Sequence, residues 1–583
     1  MFFQLAIDDG RHRRLEVNFR FREYVDKAVI LKMSKHSCKT NDFGIGLIDG
    51  HEGTVSLSPF CSILFIFCSS KLPESMKPVF FTPLSFCEDA NLRLLCTTGL
   101  RTLITVMVFM CTLPGSSFAA DYQIDSQRQF DKLRESKFRP GDVIYFKRGE
   151  RFKGMFAPRG SGREGAPIEI KAYGRGPRPR IDAGGENQAG LRLRNVQWYE
   201  VSGLEITNTN GSKKDQGELF GIYVLIEKKE GVFRHIYIGD CDVHDVNGKV
   251  AGKKRGGIHV HIKKCEKTWI DDLRITKNRI ARIGGVGIGN DSTCAGVEIR
   301  PNDEVTKNLW TNVYVAGNYI DNTGRNNVIA RVSKDAVYEY NTLANSSRYD
   351  TGHSIFCFNT DGILIQRNEA YGNVGKEDKD RGGFDADYNC INTYIQYNYS
   401  HDNEWFCGIM KRPNRNVVIR YNISQNERKG LYFYGFEKFT DAENIHIYNN
   451  THFTKRGLKA YVFPQNRTPL NTLFENNVFY FEGEGLWTEK SKGINTSFKN
   501  NLYYNLVPHP GDPDAITSNP RFARPGKAGT DIDLTTMKDL QGYRLKSKSA
   551  AIDKGKSIKT AEDPRDFFGS PIKGRRVNLG AVE

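Results

Sequence analysis

IQYNYSHDNEWFCGIMKRPNRNVVIRYNISQNERKGLYFYGFEKFTDAENIHIYNN, residues 395–450, states one phrase three times: an apolar residue, two variable residues, then asparagine. The asparagines are Asn398, Asn422 and Asn450, each three places after an isoleucine. Outward from this stretch the phrase recurs at Asn278, Asn318, Asn341 and Asn368 on one side and at Asn477 and Asn501 on the other. The apolar partners there are Ile275, Val315, Tyr338, Ile365, Phe474 and Phe498. The spacings between successive asparagines are 40, 23, 27, 30, 24, 28, 27 and 24 residues. A period of this size, interrupted by insertions, marks a solenoid. Alternation within each repeat is strand-like, so the solenoid is expected to be a β-helix. Leu204 and Cys241 hold the same slot in earlier, weaker coils, which brings the expected number to roughly a dozen. Asparagine suits a sharp turn because it tolerates left-handed backbone. Stacked from coil to coil, its amides can form a ladder. These asparagines are therefore read as structural.

The rest of the chain divides around this body. Residues 1–100 show no repeat and are expected to be a doubtful N-terminal extension, with the true start near residue 100. Residues 101–120, RTLITVMVFMCTLPGSSFAA, place Arg101 before an apolar run and small residues after it, as a secretory signal does. The run is too short for a membrane span. We therefore expect a secreted or periplasmic protein, monomeric, with no membrane span. The β-helix is expected over 121–504, and 505–583, which lose the phrase, as a cap closing its open end. The chain carries 84 Lys+Arg against 68 Asp+Glu, a formal net charge of +16. Residues 1–120 account for only +2 of this, by count 13 basic against 11 acidic residues. A basic body fits an anionic partner. An acidic polysaccharide is expected and no nucleic acid. Twelve cysteines divide six and six about residue 121. The wide spacing of the later six favours free, buried thiols over a disulfide framework.

A second strand series, usually opened by glycine, accompanies the asparagine phrases: Gly257-IHVHI, Gly296-VEIRP, Asn327-VIARV, Gly383-FDADY, Gly408-IMKRP, Gly430-LYFYG, Gly457-LKAYV and Gly485-LWTEK. Period-two alternation sends the first and third residues inward, for example Phe384/Ala386 and Leu431/Phe433. The second and fourth then form two outward rows. One runs His259, Glu298, Ile329, Asp385, Met410, Tyr432, Lys459, Trp487; the other runs His261, Arg300, Arg331, Asp387, Arg412, Tyr434, Tyr461, Glu489. Gly408 strains this register, since Lys411 would point inward unless a bulge turns it out. The candidate catalytic residues are Asp385, Asp387, Lys411 and Arg412. Arg300, Arg331, Glu298, Tyr432, Tyr434 and Trp487 are the candidate substrate-binding residues, the rings suiting sugar faces.

Three chemistries fit such a patch. Paired carboxylates can hydrolyse a glycosidic bond. Lys411 or Arg412 could serve as the base for β-elimination from a uronic acid, with the substrate carboxylate neutralised by Arg300 and Arg331 or by Ca²⁺ on Asp385 and Asp387. No metal is assigned. His259-x-His261-x₃-Cys265 could bind Zn²⁺, but solvent-facing histidines account for the same pattern. His353, Asp350, His401 and Glu404 lie in loops beside the patch and are either acid–base groups or turn chemistry.

GDVIYFKRGERFKG (141–154), PIEIKAYGRGPRPRIDAGG (167–185), the asparagine coils, GGFDADYNCINTYIQYNYSHDNE (382–404), AIDKG (551–555) and NLGAVE (578–583) together resemble the secreted bacterial right-handed parallel β-helix proteins of the pectate-lyase-like superfamily. The resemblance covers about 121–583. It implies an all-β right-handed parallel β-helix with a groove along one sheet, and a protein that acts on polysaccharide. It does not choose a reaction. Asn359-Thr360-Asp361-Gly362 looks like the first motif of polygalacturonases, but the motifs that should follow are absent, and Asp361 is read as turn chemistry. Lys411/Arg412 is a loose analogue of the Lys/Arg pair in alginate-lyase-like members. The expectation is a carbohydrate-active enzyme cleaving an acidic polysaccharide, with a slight preference for a lyase. A glycoside hydrolase using paired aspartates is the alternative. A non-catalytic glycan-binding solenoid is the third reading, disfavoured because carboxylates and arginines share one face.

Overall fold

The structure is a computed structural model. It describes residues 119–583 except 249–251, 296–306, 376–379, 411–413, 436–441, 464–467, 489–491, 560–564 and 573–575, together with four short strands between residues 15 and 67. The chain falls into two units, Met1–Gly115 and Ser116–Glu583. In the first, Leu15–Asn18 pairs antiparallel with Thr54–Leu57, and Val29–Ser34 pairs with Ser62–Phe67. The expected signal segment lies, but for its last two residues, outside the described residues. No described helix is long and apolar enough to cross a membrane.

The second unit is built from three long parallel sheets of 11, 15 and 13 strands. A complete coil contributes to all three sheets, the first coils having no strand in the 11-stranded one, and the sense of winding that the parallel crossover rule prescribes is right-handed. The sheet from Ala189–Arg194 to Glu484–Leu486 is called the groove sheet. The phrase's apolar residues lie in the ladder sheet, from Asp121–Ile124 to Ser497–Lys499. The third, from Arg151–Lys153 to Leu502–Tyr504, is the cap sheet. Isoleucine, valine, leucine and phenylalanine fill the tube between them, as their branched or flat side chains suit pleated surfaces. A short helix, Gln127–Leu133, buries Phe130 against Phe146, Phe152 and Phe156 and closes the first coil.

The asparagine phrase sits at the corner between the ladder and cap sheets. Each main-chain N–H donates to the side-chain oxygen of the next asparagine, through eight steps of 2.9–3.1 Å from Asn278 to Asn501. Each amide from Asn318 onward also donates to the carbonyl of the preceding coil's apolar residue, as Asn398 Nδ2 does to Ile365 O at 2.8 Å. The ladder was expected; its backbone geometry is corrected. The left-handed residue is the one before each asparagine, among them Lys277, Tyr340, Tyr397 and Tyr421, at φ of 49–57°. The asparagine is chosen for its buried amide, and its neighbour bears the turn.

Residues 505–583 form an irregular cap that packs along the cap sheet. Phe522, Leu534, Leu540, Tyr543 and Phe567 cover Tyr399, Ile423, Phe453 and Val478. Asp512 ends the ladder by accepting from Asn500 N, Asn501 N, Asn501 Nδ2 and Tyr503 Oη at 2.8–3.0 Å. Of the later six cysteines, Cys241, Cys357, Cys390 and Cys407 are free and buried, as expected. Cys265 and Cys294 form a disulfide, so the later cysteines are mostly, not all, free thiols.

Candidate functional site

The groove sheet carries the site, and its pairing gives the register directly. Tyr223, His259, Gly289, Ile329, Phe356, Asp385, Gly408 and Phe433 lie opposite one another in one row. Ala386 pairs with Ile409, and the alternate residues Val260, Ala330, Cys357, Ala386 and Ile409 point into the core. His259, Ile329, Asp385, His261, Arg331 and Asp387 occupy the outward positions expected of them. The remaining assignments change. In the coil after His259 the strand is Val286–Ser292, so Gly289 and Asp291 hold its outward positions. Glu298 and Arg300 lie outside the described residues. In the coil after Asp385 the strand is Trp405–Ile409, and Gly408 is a row member, not an opener. Lys411 and Arg412 therefore follow the strand and lie outside the described residues, and Met410 falls one row across from its expected place.

Tyr432 and Tyr434 are corrected outright. Cys407 pairs with Tyr432 and Ile409 with Tyr434, which puts both rings in the core. The Tyr432 hydroxyl meets His452 Nε2 at 2.9 Å, and the Tyr434 hydroxyl meets Thr472 at 3.2 Å. These core partners explain why tyrosine is found where phenylalanine would be read. Leu431, also expected inside, is buried, while Phe433 faces out with Trp405 and Met410. Trp487 closes the end of the core among Phe479, Phe498, Tyr503 and His509, and its indole N–H donates to Val507 O at 2.7 Å. His259 and His261 are not solvent-facing, and the third member of their expected ligand set is not a free thiol. Both are buried, and Cys265 is held in its disulfide.

What the register assembles is a cluster of acids and cations at the middle of the groove sheet. Asp387 follows directly on the strand Gly382–Ala386 that carries Asp385, two residues on and about 6.7 Å away along extended chain. Asp385 is 2% exposed. His353, from the loop that feeds the neighbouring strand, aims Nε2 at Asp385 Oδ2 across 3.7 Å. Its Nδ1 accepts the Gly382 N–H at 2.9 Å, so the ring proton lies on Nε2, facing the carboxyl. Neither His353 Nε2 nor Asp385 Oδ1 makes a hydrogen bond. Burial, then the charges of Asp387 and Asp380, raise the Asp385 carboxyl well above the usual carboxylate range. Burial lowers His353 to about 4 and keeps it neutral.

Two cations attend Asp387. Lys253 lies with Nζ 4.6 Å from the centre of the Phe356 ring. Its ammonium is pushed down by burial and by Arg325 and Arg331, and drawn back up by Asp387 and Asp380. Arg331, 7% exposed, packs its guanidinium over Phe358 and Phe356 and sits 3.9 Å from Asp291. Lys254 also pairs with Asp291, at 2.8 Å. Asp380 is half-buried beside these groups, and its carbonyl accepts from Gly352 N and Thr351 Oγ1. Glu404 accepts from Gly375 N–H at 2.9 Å and pairs with Lys429 at 2.9 Å, and so belongs to the loop rim. His401 is buried against Glu369 and Asp402 on the cap sheet, away from the groove. Among the described residues, no group of three or more His, Cys, Asp or Glu side chains is placed to hold a metal ion.

Lys253 and Asp380 were not among the expected site residues. A signal for both exists in the chain. Lys253-Lys254-Arg255-Gly256-Gly257 and Lys379-Asp380-Arg381-Gly382-Gly383 are parallel charged runs, each ending at the paired glycines that open a groove strand. They read as solvated charge until the strand they feed is known to carry carboxylates.

No protein-family model matches the chain. It is 25% identical over 554 residues to a lacto-N-biosidase of Bifidobacterium longum subsp. longum, a match covering 76% of this chain. The chain spans about a third of that relative, 34% of its length. Among solved structures it is similar to the lacto-N-biosidase of Eubacterium ramulus, with 18% identity, a TM-score of 0.48, and 67% of this chain and 71% of that one covered. It is also similar to the alginate lyase AlyGC, with 16% identity, a TM-score of 0.42, and 76% and 60% covered. At such scores neither superposition bears on individual residues. The architecture stands on the three parallel sheets themselves, and by these the chain is a parallel β-helix.

Proposed function

We propose that the chain is a carbohydrate-active enzyme, a glycoside hydrolase working through the carboxylates at the middle of the groove sheet. The observation that carries this reading is the contrast between Asp385 and Asp387, two carboxyls two residues apart in opposed surroundings. Asp387 is the carboxylate whose charge acts on Lys253 and Arg331. Asp385 is buried beside a neutral histidine, and burial, then the charges of Asp387 and Asp380, raise its carboxyl and favour the protonated form. Carboxyls driven apart in this way serve as base or nucleophile and as acid. In this reading Asp387 attacks the anomeric carbon or takes the proton of an attacking water, and Asp385 gives its proton to the departing glycosidic oxygen. Asp380 is the alternative donor, favoured by its half-exposed position where Asp385 is almost closed off. The name of the Bifidobacterium relative, that of a glycosidase, agrees with hydrolysis.

A second reading, β-elimination from a uronate, is favoured by Lys253, whose lowered ammonium would make a competent base. One experiment separates the two. Neutral oligosaccharides, pectate and alginate are incubated with the protein, and reducing ends and the ultraviolet absorbance of an unsaturated product are both followed. Reducing ends without absorbance are expected, with Asp387→Asn lowering the rate by at least about a thousandfold. Absorbance with full retention of activity in Asp387→Asn would sink the hydrolase reading. Asp385→Asn and Asp380→Asn, assayed on a substrate with an activated leaving group, assign the donor, since only the true donor becomes dispensable there. Secretion and an acidic substrate stay with this proposal; the pectate and alginate arms test the second.

A further inference from the structure

The loop between Ala344 and Ile355 carries an aromatic ring that the folding of the coil does not need. Tyr349 is 48% exposed, whereas the rings of the tube are buried. It is nevertheless fixed. Its main-chain N–H donates to Gly324 O at 3.0 Å, and its ring lies against Gly324, where a Cβ would meet Tyr349 Cδ2 at 2.7 Å. The Cδ2 edge of the ring is held against backbone, and the ring is still half open to solvent.

The adjoining groups are polar and already oriented. Asp350 pairs with Arg325 Nη1, and its other oxygen accepts the Thr351 N–H at 2.7 Å. Arg325 is 7% exposed, and its Nε–H has no hydrogen-bond partner. A buried guanidinium with an unmet donor beside a flat exposed ring is an arrangement that a ligand completes. The loop also reaches the carboxylate cluster. Thr351 Oγ1 and Gly352 N both donate to Asp380 O, at 2.7 and 3.0 Å, and the next residue is His353.

We propose that Tyr349, with Asp350 and Arg325, forms a pyranose-binding subsite at the rim of the groove, the ring stacking on the sugar face and the ion pair taking its hydroxyls. A pyranose presents an apolar C–H face and a hydroxyl edge, which match an aromatic platform flanked by a carboxylate and a guanidinium. This inference rests on the carbohydrate reading of the site but assigns it a further contact. Galactose, N-acetylglucosamine and galacturonate are titrated into Asp387→Asn and into Asp387→Asn carrying Tyr349→Ala or Tyr349→Phe, by saturation-transfer NMR and calorimetry. Binding of at least one sugar is expected to weaken about tenfold with Tyr349→Ala and to persist with Tyr349→Phe. In the otherwise native chain Tyr349→Ala is expected to raise KM with kcat little changed. Unaltered binding and KM in a folded Tyr349→Ala, or no binding by Asp387→Asn of any of the three sugars, overturns the subsite. If the parent cleaves no glycan yet binds one of these sugars through Tyr349, the hydrolase reading falls and the subsite stands.

Discussion

A methyl group at Gly408 would lie 2.6 Å from His353 Nε2 and 2.7 Å from Asp385 Oδ1. The glycine is there for space, since its φ is not in the left-handed region. It occupies the position on the next strand that faces Asp385, and any side chain would push the acid and the histidine apart. Gly408→Ala is therefore expected to lower kcat by about a hundredfold, as displacements near 1 Å do. Its melting temperature should fall by only a few degrees. An active Gly408→Ala would show that the His353–Asp385 geometry is unimportant. Asp380 supplies a second residue-scale test. Its charge helps to raise the Asp385 carboxyl, so Asp380→Asn should move the alkaline limb of kcat/KM toward lower pH. A limb that moves upward, or stays, removes Asp385 as the donor. Glu427 lies inside the tube, where Ser400 Oγ donates to it at 2.5 Å and Asn403 N–H at 3.0 Å, and burial raises it to about 8. The folded state thus holds a proton that the unfolded state releases near 4.5. The stability this contributes is complete below 4.5 and declines as pH rises to about 8, by at most about 1.4 kcal/mol per pH unit. Glu427→Gln, with its amide turned to donate to Ser400, should flatten thermal stability between pH 5 and 8. An unchanged pH slope would mean that Glu427 titrates normally.

At the scale of the element, two kinds of asparagine ladder run along the tube and should differ in worth. Asn398 is buried, donates to Asn422 Oδ1 and Ile365 O, and receives both N–H groups of Asn368. Asn416 is exposed in a second ladder, donating to Asn392 Oδ1 and accepting from Asn444, with φ of 55°. Asn398→Ala strands buried donors and a carbonyl, and is expected to cost about 3 kcal/mol. Asn416→Ala leaves water to replace its partners, and is expected to cost less than about 1 kcal/mol, mostly through the turn. Denaturant unfolding of the two variants checks the order, and equal losses would remove the ladder's special standing. The buried ladder was legible in the chain because its spacing is regular and its side chain is needed at every coil. The register of the groove sheet was only partly legible. Glycine was read as the usual opener of these strands. It opens Gly256–Ile262, Gly382–Ala386 and Gly430–Tyr434, but at Gly408 it is mid-strand, making room for Asp385 and His353. Tyrosine was read as outward, yet Tyr432 has a buried hydrogen-bond partner that no local pattern reveals.

Across the whole molecule, a solenoid transmits damage only to neighbouring coils, because each repeat contacts little else. Asp512 is placed where this can be measured. Its carboxylate receives five donors, three of them backbone or amide groups of Asn500 and Asn501, the others Tyr503 Oη and Asp514 N–H. Asp512→Ala leaves those donors buried without an acceptor, at a cost of about 1–3 kcal/mol for each that water does not reach. The cap has other anchors far up the tube. Glu369 accepts the Ile532 N–H at 3.1 Å, Tyr371 donates to Asp531, and Asn449 donates to Gly580 O. The cap should therefore stay docked while the end coils loosen. Amide hydrogen exchange in Asp512→Ala is expected to speed up over the strands Thr472–Glu475, Val478–Phe481 and Leu502–Tyr504 and to stay unchanged over Phe220–Ile226 and Gly256–Ile262. Catalysis, some four coils from this end, should persist at temperatures where the end coils have opened. A uniform rise in exchange along the chain would instead show that the coils unfold as one cooperative body, held together by the cap's long-range anchors and not by nearest-neighbour stacking.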